Sequence, residues 1–283
     1  MAASPNDPLF PQQWGLQRVN FPQAWVLTEG LQKRVVRVGL IDTGVAKHED
    51  LPNFIARLDP DASDLHGHGT WVTGILCAER DNGVGIAGAI SCELFVYKAF
   101  DKNGWNWRKY YDALEKLPLD GVQVVNLSIG GVEYRQTEQL LISLCVAAGV
   151  IVVAAAGNHR QRGNPRIYPG ALDEVITVAA TTRDDQPTRK SSAGPQVFIA
   201  APGSGILTTG LHNNYRTMEG TSFAAPLVTA AITLALSVRP HLSVADIREA
   251  LRSTVDDVSR KGKTEDLGYG ILDVASFIRK IVP

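Results

Sequence analysis

Three stretches of this chain constrain its fold more than any other feature. VVRVGLID (35–42), VQVVNLSIGG (122–131) and VIVVAAAGN (150–158) are unbroken apolar runs, each ending in small and polar residues. A strand with one wet face alternates apolar and polar residues. A strand covered on both faces does not, and such strands belong to parallel sheets between helical layers. ELFVYKAF (93–100) and EVITVAA (174–180) are further strand candidates. Between them lie helical patterns. Residues 107–117 place apolar side chains at 107, 110, 111, 114 and 117, and residues 133–149 place Leu140, Leu141, Leu144, Cys145 and Ala148 on one expected face, closed by Gly149. Ser243 and Asp246 have capping-box spacing ahead of a further helix. The expected fold class is α/β, a three-layer α/β/α arrangement with a mostly parallel central sheet. With no repeat, linker or composition break, residues 1–283 are expected to form one domain.

The longest apolar run, FAAPLVTAAITLALSV (223–238), falls short of the ~20 residues a bilayer span needs. It reads as a buried helix, with Pro226 near enough to its start for the missing N–H to cost little. A net charge of −1 without basic runs gives nucleic acid and anionic membranes no electrostatic foothold. The three cysteines, Cys77, Cys92 and Cys145, each sit in apolar surroundings and read as buried free thiols. The N-terminal stretch MAASPNDPLFPQQ has neither a basic nor an apolar targeting region, so no signal peptide is expected in it.

In parallel α/β sheets, ligands meet the carboxyl ends of strands. Asp42 ends one apolar run in IDTGV, His68 sits in HGHGTWVTG at a helix start, and Ser222 opens the long apolar helix in GTSFAAP. Each alone reads as a turn or a cap. Together they are the three groups nucleophilic acyl transfer needs: a hydroxyl, an imidazole to take its proton, and a carboxylate to orient the imidazole. The developing oxyanion needs donors already in place. The Ser222 backbone N–H at a helix N-terminus and the Asn158 side-chain amide after VVAAAG supply two. Gly-x-Ser-x-Gly, the elbow of many esterases, fails because Ala224 takes its last position, and no GxGxxG follows the first strand.

The ordered segments IDTGV, HGTWVTG, AAAGN and GTSFAAP resemble the four signature segments of the subtilisin-like serine proteases, or subtilases, and the similarity extends over nearly the whole chain, with a thermitase-like start. The resemblance implies a serine endopeptidase with Asp42, His68 and Ser222 as its triad and Asn158 with Ser222 as its oxyanion donors. Ser128, Ile129 and Gly130 would pair with the substrate backbone ahead of the scissile bond, and Ala155, Ala156 and Gly157 would line the pocket opposite. Tyr168–Pro169 matches a dipeptide whose bond is cis in the family. A structural Ca²⁺ would be held by the side chains of Asp7, Asp50 and Asn82 and by carbonyls in the loop of Arg80, Val84 and Ile86. A weaker cation site would lie near residues 170–175.

Ile167 stands where the family has a smaller or polar residue at the pocket floor, so small or medium apolar P1 residues are expected. Phe223 replaces the usual Met after the nucleophile, and tolerance of peroxide is expected from a residue that forms no sulfoxide. Trp71 reads as packing, and His66 as a bystander to His68. The resemblance also implies protein or peptide substrates, a propeptide or protein inhibitor as protein partner, no nucleic-acid or membrane partner, and a monomer. Secretion is expected, with a cytoplasmic location as the alternative favoured by free thiols. A catalytically inactive binding protein on the same fold is the alternative function.

Overall fold

A computed structural model describes residues 4–52, 56–57, 62–101 and 104–282; the first three residues of the polar N-terminal stretch lie outside them. Two short helices, α1 (Trp14–Arg18) and α2 (Phe21–Leu27), lead into β1 (Arg37–Asp42). Then follow β2 (Ala56–Arg57), α3 (His68–Cys77), β3 (Glu93–Lys98), the antiparallel pair β4 (Phe100–Asp101) and β5 (Gly104–Trp105), and α4 (Trp107–Leu119). The middle of the chain gives β6 (Val124–Leu127), α5 (Gln136–Ala147), β7 (Ile151–Ala155), β8 (Ile176–Thr181) and β9 (Ile199–Pro202). A second antiparallel pair, β10 (Ile206–Thr209) and β11 (Tyr215–Met218), precedes α6 (Thr221–Val238), α7 (Val244–Thr254) and α8 (Val274–Ile281).

The central sheet is wholly parallel, in the order β2-β3-β1-β6-β7-β8-β9. Alternate residues of each strand face different cores, which is why the strands read as unbroken apolar runs. Val38 and Leu40 of β1, Val124 of β6, and Ile151 and Val153 of β7 meet the layer holding α3 and α6. Ile41, Val125, Leu127, Val152 and Ala154 meet α4 and α5. The three-layer α/β/α expectation holds. Sequence order leaves β1 towards β3 and then returns to its other side at β6. That reversal opens a crevice at the carboxyl ends of β1 and β6.

Several elements differ from expectation in informative ways. The apolar stretch 122–131 pairs in the sheet only over Val124–Leu127, because residues 128–130 leave it to line a cleft. β2, β9, β10 and β11 went unanticipated, being short or half-exposed. In α5 the buried face is Glu138, Leu141, Ile142 and Cys145, whereas Leu140 and Leu144 are exposed. The spacing of 3, 4 and 7 from Glu138 is the true helical stripe, and a carboxylate within it hid the phase. The helix ends as expected: Gly149 adopts φ +88, and the amides of Gly149 and Val150 return to the carbonyls of Val146 and Cys145. The capping box of Ser243 and Asp246 is formed.

α6 is the one helix among the described residues long and apolar enough to cross a membrane, but it is buried inside the protein, packed across β6, β7, β8 and β9. The three cysteines are free and buried. Pro226 is the sixth residue of α6, deeper than the sequence reading placed it. Its missing N–H leaves the Ser222 carbonyl without its helical partner. The Ser128 hydroxyl donates to that carbonyl at 2.7 Å and makes good the loss.

Candidate active site

Asp42 is the last residue of β1, fully buried at the crevice. Its Oδ1 accepts the Thr43 N–H at 2.7 Å, and the Thr43 hydroxyl accepts the Gly69 N–H at 2.9 Å. The Asp-Thr-Gly turn therefore grips the first turn of α3, which carries His68. Both Asp42 oxygens lie within reach of His68 Nδ1, at 2.8 and 3.0 Å. Asp64, which the sequence reading passed over, finishes the mount. One oxygen accepts the His66 and Gly67 amides and the other accepts the Thr70 amide and hydroxyl, so Asp64 caps α3 in place of its N-terminal glycine. A carboxylate four residues ahead of a helix start was the available signal.

Burial of the imidazole works against its charged form. The charge and hydrogen bond of Asp42, with the charge of Asp64, outweigh that effect, and the His68 pKa is raised above its ordinary value. Phe223 is buried and its ring centroid lies 5.9 Å from that of His68. Trp71 lies 6.1 Å from His68 and is covered by Arg216, in the packing role expected for it. His66 is exposed and stacks on Phe100, away from Asp42.

Ser222 is the second residue of α6 and lines the same cleft as His68. Its hydroxyl donates to the Ser128 carbonyl oxygen at 2.9 Å rather than to His68. Rotation about one side-chain bond separates this resting arrangement from the expected nucleophile–base contact. Ser128 and Ser222 are thus doubly joined, hydroxyl to carbonyl in each direction. Behind them a buried chain runs from Thr229 to Asn126 Oδ1 at 3.0 Å and from Asn126 Nδ2 to the Ser128 hydroxyl at 2.9 Å.

Asn158 Oδ1 accepts the Thr221 N–H at 3.0 Å, and the Thr221 hydroxyl accepts the Gly157 N–H at 3.1 Å. Its oxygen being taken by the α6 N-terminus, the Asn158 Nδ2 donors remain for the cleft, beside the Ser222 N–H of the first helical turn, which makes no backbone hydrogen bond among the described residues. The arrangement can accept a proton at His68, present a hydroxyl at Ser222, and bind negative charge between two donors.

The cleft has a volume of about 460 Å³. Ser128, Ile129 and Gly130 form one edge, and Ile129 and Gly130 make no backbone hydrogen bond among the described residues. Ala155 and Gly157 face them, but Ala156, one residue past the end of β7, does not line the cleft and packs in the core with α3 and α6. Ile167 is 2% exposed and sits between two glycines. A Cβ at Gly157 (φ +97) or Gly130 would lie 2.5 or 2.6 Å from Ile167, so the branched side chain takes the room that those glycines leave. Tyr168–Pro169 is cis, and Gly131 and Tyr168 pair through both backbone bonds.

Of the proposed cation ligands, Asp7 and Asp50 are both tied to the loop that holds Asn82, away from this cleft. The Asp81 amide donates to Asp7 Oδ2 at 3.0 Å, and Asp50 accepts Asn82 Nδ2 at 3.1 Å and the Ile86 amide at 2.8 Å. Two features went unforeseen: Asn6 accepts the Gly83 amide, and the Tyr215 hydroxyl donates to Asp50 at 3.2 Å. Asp7 Oδ1 is buried with no partner among the described residues. Burial raises the Asp50 pKa against its hydrogen bonds. Two buried carboxylates, one with an orphaned oxygen, fit a hard divalent cation with backbone carbonyls completing its shell. Arg80 contributes no side chain, its guanidinium lying 4.1 Å over the Trp25 ring. Near residues 170–175 the Gly170 carbonyl accepts the Thr177 hydroxyl.

Fold and site together define the class of an α/β protein carrying an Asp–His–Ser constellation at the sheet's topological switch. The subtilase family profile matches residues 33–270, and the chain belongs to that family. It is 33% identical to "Thermitase" of Thermoactinomyces vulgaris, over 92% of this chain and 94% of that protein. It is 31% identical to "Subtilisin Savinase" of Lederbergia lenta, over 94% and 98%. It is 31% identical to "Minor extracellular protease Epr" of Bacillus subtilis over 92% of this chain but only 41% of that longer protein. It likewise spans 52% of "Halolysin-like extracellular serine protease Nep" of Natrialba magadii.

Proposed function

We propose that this protein is a serine endopeptidase that cleaves peptide bonds through an acyl-enzyme. The observation that carries the reading is the placing of His68 and Ser222 on one cleft, with Asp42 buried behind His68 and bonded to its Nδ1 at 2.8 Å. A peptide lies along the free edge of Ile129 and Gly130. The Ser222 hydroxyl turns from the Ser128 carbonyl to His68 Nε2 and attacks the scissile carbonyl while His68 takes its proton. Asp42 holds the imidazole in the correct tautomer and stabilises the imidazolium. The Ser222 N–H and Asn158 Nδ2 bind the oxyanion. His68 then protonates the leaving amine, and the acyl-enzyme is hydrolysed with His68 again as base. Ile167 narrows the P1 pocket towards small or medium apolar residues.

Asp7, Asp50 and Asn82, with carbonyls of Arg80, Val84 and Ile86, would hold a structural Ca²⁺. It would tie the N-terminal segment to the loop after α3 and neutralise two buried carboxylates. Protein or peptide substrates follow from the reading, and the names of two relatives, each called extracellular, support secretion.

The test is digestion of an unfolded protein by the wild type and by the Ser222→Ala and Asn158→Ala variants, with cut sites mapped. The expected losses in kcat are about 10⁶-fold for Ser222→Ala and about 10²–10³-fold for Asn158→Ala. Cuts should follow small or medium apolar residues. Digestion that persists in Ser222→Ala contradicts the mechanism, and cuts chiefly after Phe or Tyr contradict the pocket assignment.

A further inference from the structure

The cleft continues past the Ser128–Gly130 edge into a region with different walls. Trp105, ending β5, and Trp107, opening α4, line it with indoles edge to face at 5.4 Å. Glu138, in the first turn of α5, lines it too and is 2% exposed. Among the described residues one hydrogen bond reaches its carboxylate, from the Tyr110 hydroxyl to Oε1 at 2.8 Å. Arg135 acts on Glu138 only through space. Its guanidinium pairs with Glu133 and lies 4.2 Å over the Trp107 ring. Trp105 Nε1 is buried without a partner among the described residues.

A carboxylate walled by aromatic rings is a poor structural element. Its charge loses hydration, and a single neutral donor does not restore it. Burial accordingly pushes the Glu138 pKa up to about 7, against the Tyr110 hydrogen bond and the Arg135 charge. An incoming cation removes that penalty. Indole faces suit both the apolar stem and the charged head of a long basic side chain.

We propose that Trp105, Trp107 and Glu138 form a subsite for a lysine or arginine side chain at one position ahead of the scissile bond. The proposal rests on the protease reading above. An extended peptide along Ile129 and Gly130 sends alternate side chains to the same face. The residue next to the scissile bond meets Ile167, and one further upstream meets the tryptophans and Glu138.

Matched peptides test this. Each keeps leucine at P1 and carries lysine or norleucine, the uncharged analogue of its stem, at one upstream position. Assays run at about pH 8.5, above the Glu138 pKa of about 7. At one position kcat/KM for lysine should exceed that for norleucine about tenfold, and Glu138→Gln should bring the ratio close to one. Both peptides are read on the same preparation, so loss of active enzyme cancels. Should Glu138→Gln fail to fold, the wild-type ratio decides by its pH dependence. It should fall as pH drops to about 6 and Glu138 takes a proton. Titration of His68 affects both peptides alike. The groups facing Glu138 are Tyr110 from α4 and Arg135 just ahead of α5, with Tyr111 and Cys145 beside Tyr110. A ratio at or below one at every position overturns the subsite and leaves the protease reading standing. A ratio that survives Glu138→Gln, or one indifferent to pH, also overturns it. Failure to cleave any peptide overturns the protease reading and this proposal together.

Discussion

At His68 two opposing influences meet: burial favours the neutral ring, and Asp42 and Asp64 favour the charged one. The charges prevail, so on the protease reading His68 becomes free to act as base only as pH rises through a value above the ordinary 6.5. The acid limb of kcat/KM should therefore have its midpoint above that value. Asp42→Asn should move the midpoint to lower pH and reduce kcat by about 10⁴-fold, because the imidazole loses both its charge partner and its tautomer control. A limb that stays in place in this variant would contradict the assignment. The grouping of Asp42, His68, Asn158 and Ser222 was legible in sequence because the proposed chemistry demands those residue types at strand ends and helix starts. Asp64 and Asn126 were not, because each acts through hydrogen bonds to residues whose neighbourhood only the fold creates. Glu138 was hidden for another reason: a carboxylate in a helical stripe reads as the exposed face.

The meeting of β6 and α6 shows how an element's defect can be repaired from another. Pro226 removes a helical donor, and the Ser128 hydroxyl replaces it at the Ser222 carbonyl. Ser128→Ala should cost about 1–3 kcal/mol in the wild-type background, since it leaves a buried carbonyl unpaired. In a Pro226→Ala background the helix regains its own N–H, and the same substitution should cost markedly less. Urea denaturation of the four proteins, all in a Ser222→Ala background to prevent autolysis, measures the coupling. Equal costs in both backgrounds would show that Ser128 does not compensate for the proline. Strands covered on both faces were readable from unbroken apolar runs, and helix ends from Gly149 and the Ser243–Asp246 pair. The phase of α5 and the short edge strands were not, since tertiary packing rather than local pattern sets them.

Across the whole molecule, the N-terminal segment, Asp50 after β1, the loop after α3 and Tyr215 of β11 are drawn to one point where two carboxylates are buried. A bound Ca²⁺ that ties these segments should raise stability, and a chelator should lower the Tm of the Ser222→Ala protein by on the order of 5 °C. Calorimetry with and without chelator, and after adding Ca²⁺ back, reads the effect; an unchanged Tm would remove the cation from the account. The central claim concerns Ser222 itself, and labelling with a fluorophosphonate tests it most directly. The expected result is one adduct per folded chain, mapped to Ser222, lost in His68→Ala and on unfolding. A folded wild type that takes up no label, or takes it up at another residue, would contradict the claim.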